Sequence, residues 1–151
     1  MGVEEVTISL RPMSGDLDDI KSCLRSTHEV TLDRWPEPRA TVCRSGGIGV
    51  CVLVGWGGGF DCKYAVCHPA SSDEWYLRLV VDLAIAFGSE LILRESQQSR
   101  THYIASDPDF ILDAGRAIAL KRAYWHTAFG AEEAAVTPED AIDRFIVHRK
   151  G

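Results

Sequence analysis

The chain has 151 residues, a net charge of −6 and a 46% apolar composition. That length suits a single domain, taken as residues 1–151, able to bury a full core. The acidic balance excludes a general nucleic-acid binder, which needs clustered Lys and Arg, and the longest apolar runs, Ile48 to Trp56 and Leu79 to Phe87, are too short for a membrane-spanning helix.

Val6 to Leu10 alternates and is β-rich, which predicts a first strand closed by Pro12. Ser14 or Asp16 can cap a following helix in which Leu17, Ile20 and Leu24 recur at helical spacing, ending near Ser26. Residues 33–38 hold two prolines and read as an irregular connection. Ala40 to Arg44 and Ile48 to Gly55 read as a hairpin about Ser45-Gly46-Gly47, and Gly57 to Gly59 leads into a third strand, Cys62 to Cys67. A helix from Asp73 to Phe87 carries the stripe Tyr76, Leu79, Val80, Leu83 and Phe87. Ser71 and Glu74 have capping-box spacing there, and Gly88 is a natural C-cap. Strands are predicted at Glu90 to Arg94 and Thr101 to Ala105. A helix from Pro108 to Phe129 follows, with a break near Gly115, and then a short last helix after Thr137 bearing Ile142, Phe145 and Ile146. The expected fold is α+β: a largely antiparallel sheet of five or six strands packed against helices, in the order β-α-β-β-β-α-β-(β)-α-α.

The junction from Tyr64 to Glu74 is where chemistry is first sought. A strand running into a helix N-terminus presents free N–H groups and the positive end of the helix dipole to an anion. Residues 70–75 are Ala-Ser-Ser-Asp-Glu-Trp: no glycine lets the backbone approach a phosphate, and two carboxylates stand in its place. Cys62, Cys67 and His68 do not have the spacing of a zinc knuckle, so no metal is expected. The five cysteines are an odd number, and no basic segment followed by an apolar run opens the chain. Both point to reduced thiols and a cytosolic location. Cys43, Cys51, Cys62 and Cys67 fall in strand-like segments and read as small apolar residues. No Cys/His pair or other catalytic set stands out, and no cofactor is expected.

Two surface features remain. The segment Gly55-Trp56-Gly57-Gly58-Gly59-Phe60 reads as a mobile hairpin with aromatics at its edge. Acidic residues gather at Asp16, Asp18 and Asp19, at Asp73 and Glu74, and at 132–143; most sit where they favour helix dipoles. An acidic face with aromatic anchors could meet a basic protein, and the candidate partner-binding residues are Trp56, Phe60, Asp73, Glu74 and Trp75.

The element order resembles the Gcn5-related N-acetyltransferase family. The similarity lies in Ile8 to Pro12 followed by Asp16 to Ile20, and in Tyr64 to Pro69 followed by a helix and Glu90 to Arg94. That resemblance implies acetyl-CoA as cofactor, but the basic, glycine-rich loop and the later tyrosine motif of that family are missing. In general character the chain also resembles bacterial immunity proteins, small acidic domains that occlude a toxin. Tyr76 to Ala84 followed by a Gly-Ser turn is similar to helices of such proteins. The expected function is thus a non-enzymatic cytosolic binding protein that neutralises a basic toxin. The alternative is an acetyltransferase-like enzyme with a degenerate acetyl-CoA site.

Overall fold

The computed structural model describes residues 5–13, 15–27, 30–34, 39–45, 49–66, 68–95 and 98–129. Seven strands and three helices are laid out as β1 (Glu5–Arg11), α1 (Leu17–Thr27), β2 (Val30–Arg34), β3 (Arg39–Arg44), β4 (Val50–Trp56), β5 (Gly59–Ala65), α2 (Asp73–Phe87), β6 (Glu90–Arg94), β7 (Arg100–Tyr103) and α3 (Asp109–Phe129). Among the described residues, all seven strands form one sheet in the order β2-β3-β4-β5-β1-β6-β7, with every neighbouring pair antiparallel. The class is α+β, as expected.

The first strand is the hinge of the topology. β1 lies between β5 and β6 and pairs with both, Ile8 facing Cys62 on one side and Leu93 on the other. Its alternation explains the placement. Val6, Ile8 and Leu10 are at most 1% exposed and belong to the apolar core, as do Cys62 and Tyr64 of β5 and Leu91 and Leu93 of β6. Residues of the opposite parity, such as Ser9 and Asp61, share the other face. A strand buried between two partners needs this apolar register, because a slip of one residue would exchange the faces.

The helices present their stripes to the core: Leu17, Ile20 and Leu24 from α1, Tyr76, Leu79, Val80 and Leu83 from α2, and Phe110, Ala114 and Ile118 from α3. α1 begins with a reciprocal cap. The Asp19 N–H donates to the Asp16 carboxylate at 3.0 Å, and the Asp16 N–H to that of Asp19 at 2.9 Å. α2 ends at Gly88, whose φ of +64° favours glycine and lets its N–H reach back to the last helical carbonyls.

Four expectations change. Asp33 and Arg34 are not in an irregular connection: β2 pairs with β3, with Asp33 facing Thr41 and Arg34 facing Ala40, and makes a four-stranded meander of the expected three. α3 runs through Gly115 unbroken. A methyl at Gly115 would touch only Leu77, at 3.9 Å, and one glycine in a packed helix costs only about 1 kcal/mol. The Gly57-Gly58 turn is held down, since the Met13 N–H donates to the Gly58 carbonyl at 2.8 Å and the Arg11 side chain donates to that of Gly57 at 3.3 Å. The capping box of Ser71 and Glu74 is absent: Ala70–Ser72 form a 3-10 turn, and Glu74 pairs instead with Arg78. The short last helix and the acidic cluster at 132–143 lie outside the described residues.

Candidate functional site

The strand-to-helix junction is built from three consecutive pieces of chain. β5 alternation turns Tyr64 to the helix-covered face, the chain bends after Ala65, and the 3-10 turn delivers Asp73 as the first residue of α2. Two N–H groups at this helix start are consumed within the turn itself: that of Ser72 by the Pro69 carbonyl at 2.9 Å, and that of Asp73 by the Ala70 carbonyl.

Into this junction α3 sends Arg122, which is 7% exposed. Its two terminal nitrogens donate to the two oxygens of Asp73, at 2.8 and 2.6 Å. Its Nε donates to the carbonyls of Val66 and His68, at 3.2 and 3.1 Å. This is the fork geometry that guanidinium offers to carboxylate. Here it ties α3 to the bend after β5 and to the first turn of α2 at once.

The rings beneath are stacked. Tyr64 lies between His68, at 4.5 Å between centroids, and Tyr76, at 4.4 Å. The Tyr64 hydroxyl donates to Asp73 at 2.8 Å, and that of Tyr76 donates to the Cys62 carbonyl at 2.6 Å. Burial, and then the Asp73 charge, push the Tyr64 phenol far above its ordinary range, so it remains a neutral donor. His68 is 1% exposed and has both ring nitrogens engaged: Nε2 accepts from the Val50 N–H at 3.0 Å, so Nδ1 carries the proton and donates to the Ala65 carbonyl at 2.7 Å. Burial lowers its pKa to about 4, which keeps the imidazole neutral near pH 7.

A second polar group occupies the other face of β1. The Ser9 hydroxyl donates to Asp61 at 2.6 Å and accepts from Arg94 Nε at 2.9 Å, while Arg11 and Arg94 each stand 4.0 Å from the Asp61 carboxylate. Both groups join elements that are distant in sequence. Neither is a nucleophile set beside a free base.

Of the five residues proposed for partner binding, the four whose side chains are described do not come together on one surface. Phe60 is 8% exposed, and its ring covers Gly55 across the β4–β5 pair, so a methyl at Gly55 would approach it to 2.9 Å. Trp75 is likewise 8% exposed and packs over Gly49, while its indole N–H finds no acceptor among the described residues. Both were expected at an interface and belong instead to the core, because the glycines opposite them leave room for a ring. Asp73 is consumed by Arg122 and Tyr64. Of these four, Glu74 alone is exposed, in a surface pair with Arg78 at 2.7 Å. Trp56 ends β4, and its side chain lies outside the described residues.

Cys51 and Cys62 are fully buried, which raises both thiols far out of the reactive range. Cys67 lies outside the described residues, and no cluster of metal-ligating side chains occurs among those described. No described helix is long and apolar enough to cross a membrane. An acyl-CoA pyrophosphate does not fit the junction: it would meet the Asp73 carboxylate, and the one guanidinium there is already held by that carboxylate and two carbonyls.

Sequence reasoning reached Tyr64 and His68 as part of the junction but not their stacking or hydrogen bonds, and it missed Arg122. Arg122 left one legible trace, as an arginine on the apolar face of a helix beside Ile118 and Trp125, but its partner is 49 residues away. Among the described residues, six large apolar side chains are exposed: Ile85, Ile104, Ile111, Leu112, Leu120 and Tyr124. Four of these lie on α3.

No family model, curated protein or solved structure matches this chain.

Proposed function

We propose that the chain is a non-enzymatic binding protein, and specifically an immunity protein that neutralises a cognate toxin by occluding it. The observation that carries this reading is the closed junction. The place where a small α/β enzyme holds an anionic cofactor is filled by an internal ion pair, and Tyr64, His68, Asp73 and Arg122 there serve to fasten the fold. What the molecule offers to its surroundings is surface: exposed acids at Asp16, Asp18, Asp19, Glu74, Glu90 and Glu95, on a chain of net charge −6. Such a surface speeds encounter with a basic protein and disfavours phosphate ligands. A toxin that acts on nucleic acid has the basic active site this surface would meet.

Two titrations test the proposal. The first uses acetyl-CoA, for which no saturable binding is expected; micromolar binding would promote the acetyltransferase-like alternative. The second uses any toxin domain found among the genes flanking this chain's own, purified, for which a one-to-one complex that weakens with salt is expected. A toxin that ignores the chain would overturn the proposal.

A further inference from the structure

His68 completes a ladder that the strands leave unfinished. The β4–β5 pairing begins at Cys51 and Tyr64. One residue earlier, the Val50 N–H donates to His68 Nε2 at 3.0 Å, so an imidazole stands where a strand carbonyl would be. The other ring nitrogen holds the Ala65 carbonyl at 2.7 Å, and the backbone carbonyl of His68 accepts from Arg122 Nε at 3.1 Å. This one residue ties together the start of β4, the end of β5 and α3.

The arrangement admits one protonation state. Nε2 accepts from Val50 only while its lone pair is free. A proton there sets an N–H against an N–H across 3.0 Å and strips the buried Val50 N–H of its acceptor. The groups around the ring do not rescue the cation. Arg122, from α3, opposes it. Asp73, from α2, favours it, but its carboxylate is already held by two nitrogens of Arg122 and by the Tyr64 hydroxyl. Tyr64, stacked on the ring from β5, stays neutral, and β4 presents the Val50 N–H itself. Burial is the largest influence of all and acts with Arg122 against the charge.

We propose that His68 is an acid-opened latch: protonation drives its ring out of the junction and detaches the bend 68–72 from β4 and from Arg122, while the sheet stays folded. The sheet does not need the latch. β1, β5 and β6 pair with one another and are buried through Ile8, Cys62 and Leu93. The bend adds little apolar area of its own, since Pro69 is half-buried and Ala70 and Ser71 are exposed. A segment held by polar ties with few apolar contacts opens at lower cost than the core. The latch is a property of the fold and does not depend on what the chain binds.

Amide hydrogen exchange on the full chain, followed by NMR and corrected for intrinsic rates, tests the latch. With the ring's pKa at about 4 in the closed form and 6.5 when released, linkage makes opening about 30-fold more favourable at about pH 5 than at about pH 7.5. Protection of the Val50 amide should fall by that factor. Opening of the bend exposes little surface, so Val50 exchange at about pH 5 should be nearly unchanged by about 0.5 M urea, whereas Ile8 exchange should rise about fivefold. The acid response of Val50 should vanish in His68→Gln, whose amide does not titrate. Should that variant not fold, the wild-type imidazole signals decide: they should show the proton on Nδ1 at neutral pH and titrate well below 6.5. Val50 protection that is the same at both pH values would overturn the proposal. So would Val50 exchange as sensitive to urea as that of Ile8, an acid response that survives in His68→Gln, or a His68 ring that titrates near 6.5.

Discussion

Replacing Arg122 by methionine should be among the most damaging single changes in the molecule. Methionine matches the apolar length of the side chain but removes four hydrogen bonds at one stroke, two to Asp73 and two to the carbonyls of Val66 and His68. Removing one member of a buried, hydrogen-bonded ion pair costs about 3–5 kcal/mol, most of it the penalty of the charge left behind. The lower end applies here, because the Asp73 side chain is 16% exposed and keeps the Tyr64 hydroxyl. With a urea m-value of about 2 kcal/mol/M for a domain of this size, a loss of about 3 kcal/mol lowers the unfolding midpoint by about 1.5 M. Arg122→Lys keeps the charge and loses the fork, so it should fall between. The double variant Asp73→Asn with Arg122→Met should cost less than the two single changes added together, by about 1–3 kcal/mol. A midpoint for Arg122→Met within about 0.3 M of wild type, or strict additivity in the double variant, would refute the reasoning.

The other predictions concern protonation, packing and charge. His68 has a folded pKa of about 4 against 6.5 for the free side chain, so the folded state binds fewer protons between those values. Stability should be full above about pH 6.5 and fall as pH drops towards 4, by at most about 3 kcal/mol, and His68→Gln should flatten that slope in a pH series of melts. Tyr76→Phe deletes the hydrogen bond to the Cys62 carbonyl and should cost about 1 kcal/mol in urea unfolding. Gly59→Ala would drive a methyl into the Leu10 carbonyl oxygen and to within 2.7 Å of the Arg11 side chain, and should lower the melting temperature by the equivalent of about 1–3 kcal/mol. Glu74→Lys removes a surface pair with Arg78, sets like charges four residues apart and puts a cation in the first turn of α2, so it should cost up to about 1 kcal/mol, while slowing association with a basic partner in stopped-flow mixing. Changing Asp73 together with Glu74 would be a poor probe of that interface, since loss of Asp73 leaves Arg122 buried without its counter-charge.

The fold was legible where local patterns and tertiary packing agree. The β1 alternation, the stripe of α2 and its Gly88 cap are written in adjacent residues and were found as expected. β2 was hidden because the prolines at 36 and 38 drew the preceding residues into a predicted loop, whereas strand pairing with β3 decides the matter for Val30–Arg34. The candidate site was legible only in outline. Residues 70–75 already said that a phosphate is unwelcome, but nothing local reveals that Asp73 is held by an arginine 49 residues away. The burial of Phe60 and Trp75 was equally hidden, because it depends on glycines across the sheet or in a neighbouring hairpin, at positions 55 and 49. An aromatic in a glycine-rich stretch can read as an exposed anchor, yet the glycines are also what let a ring lie flat on the backbone.

Protection in the cell tests the central claim most directly. Any toxin domain found among the genes flanking this chain's own would be induced with and without the chain, and growth followed. The account predicts that growth is restored when the intact chain is present, and that Glu74→Lys weakens the protection without lowering the amount of folded protein. Growth arrest that persists in the presence of abundant, folded chain would contradict it.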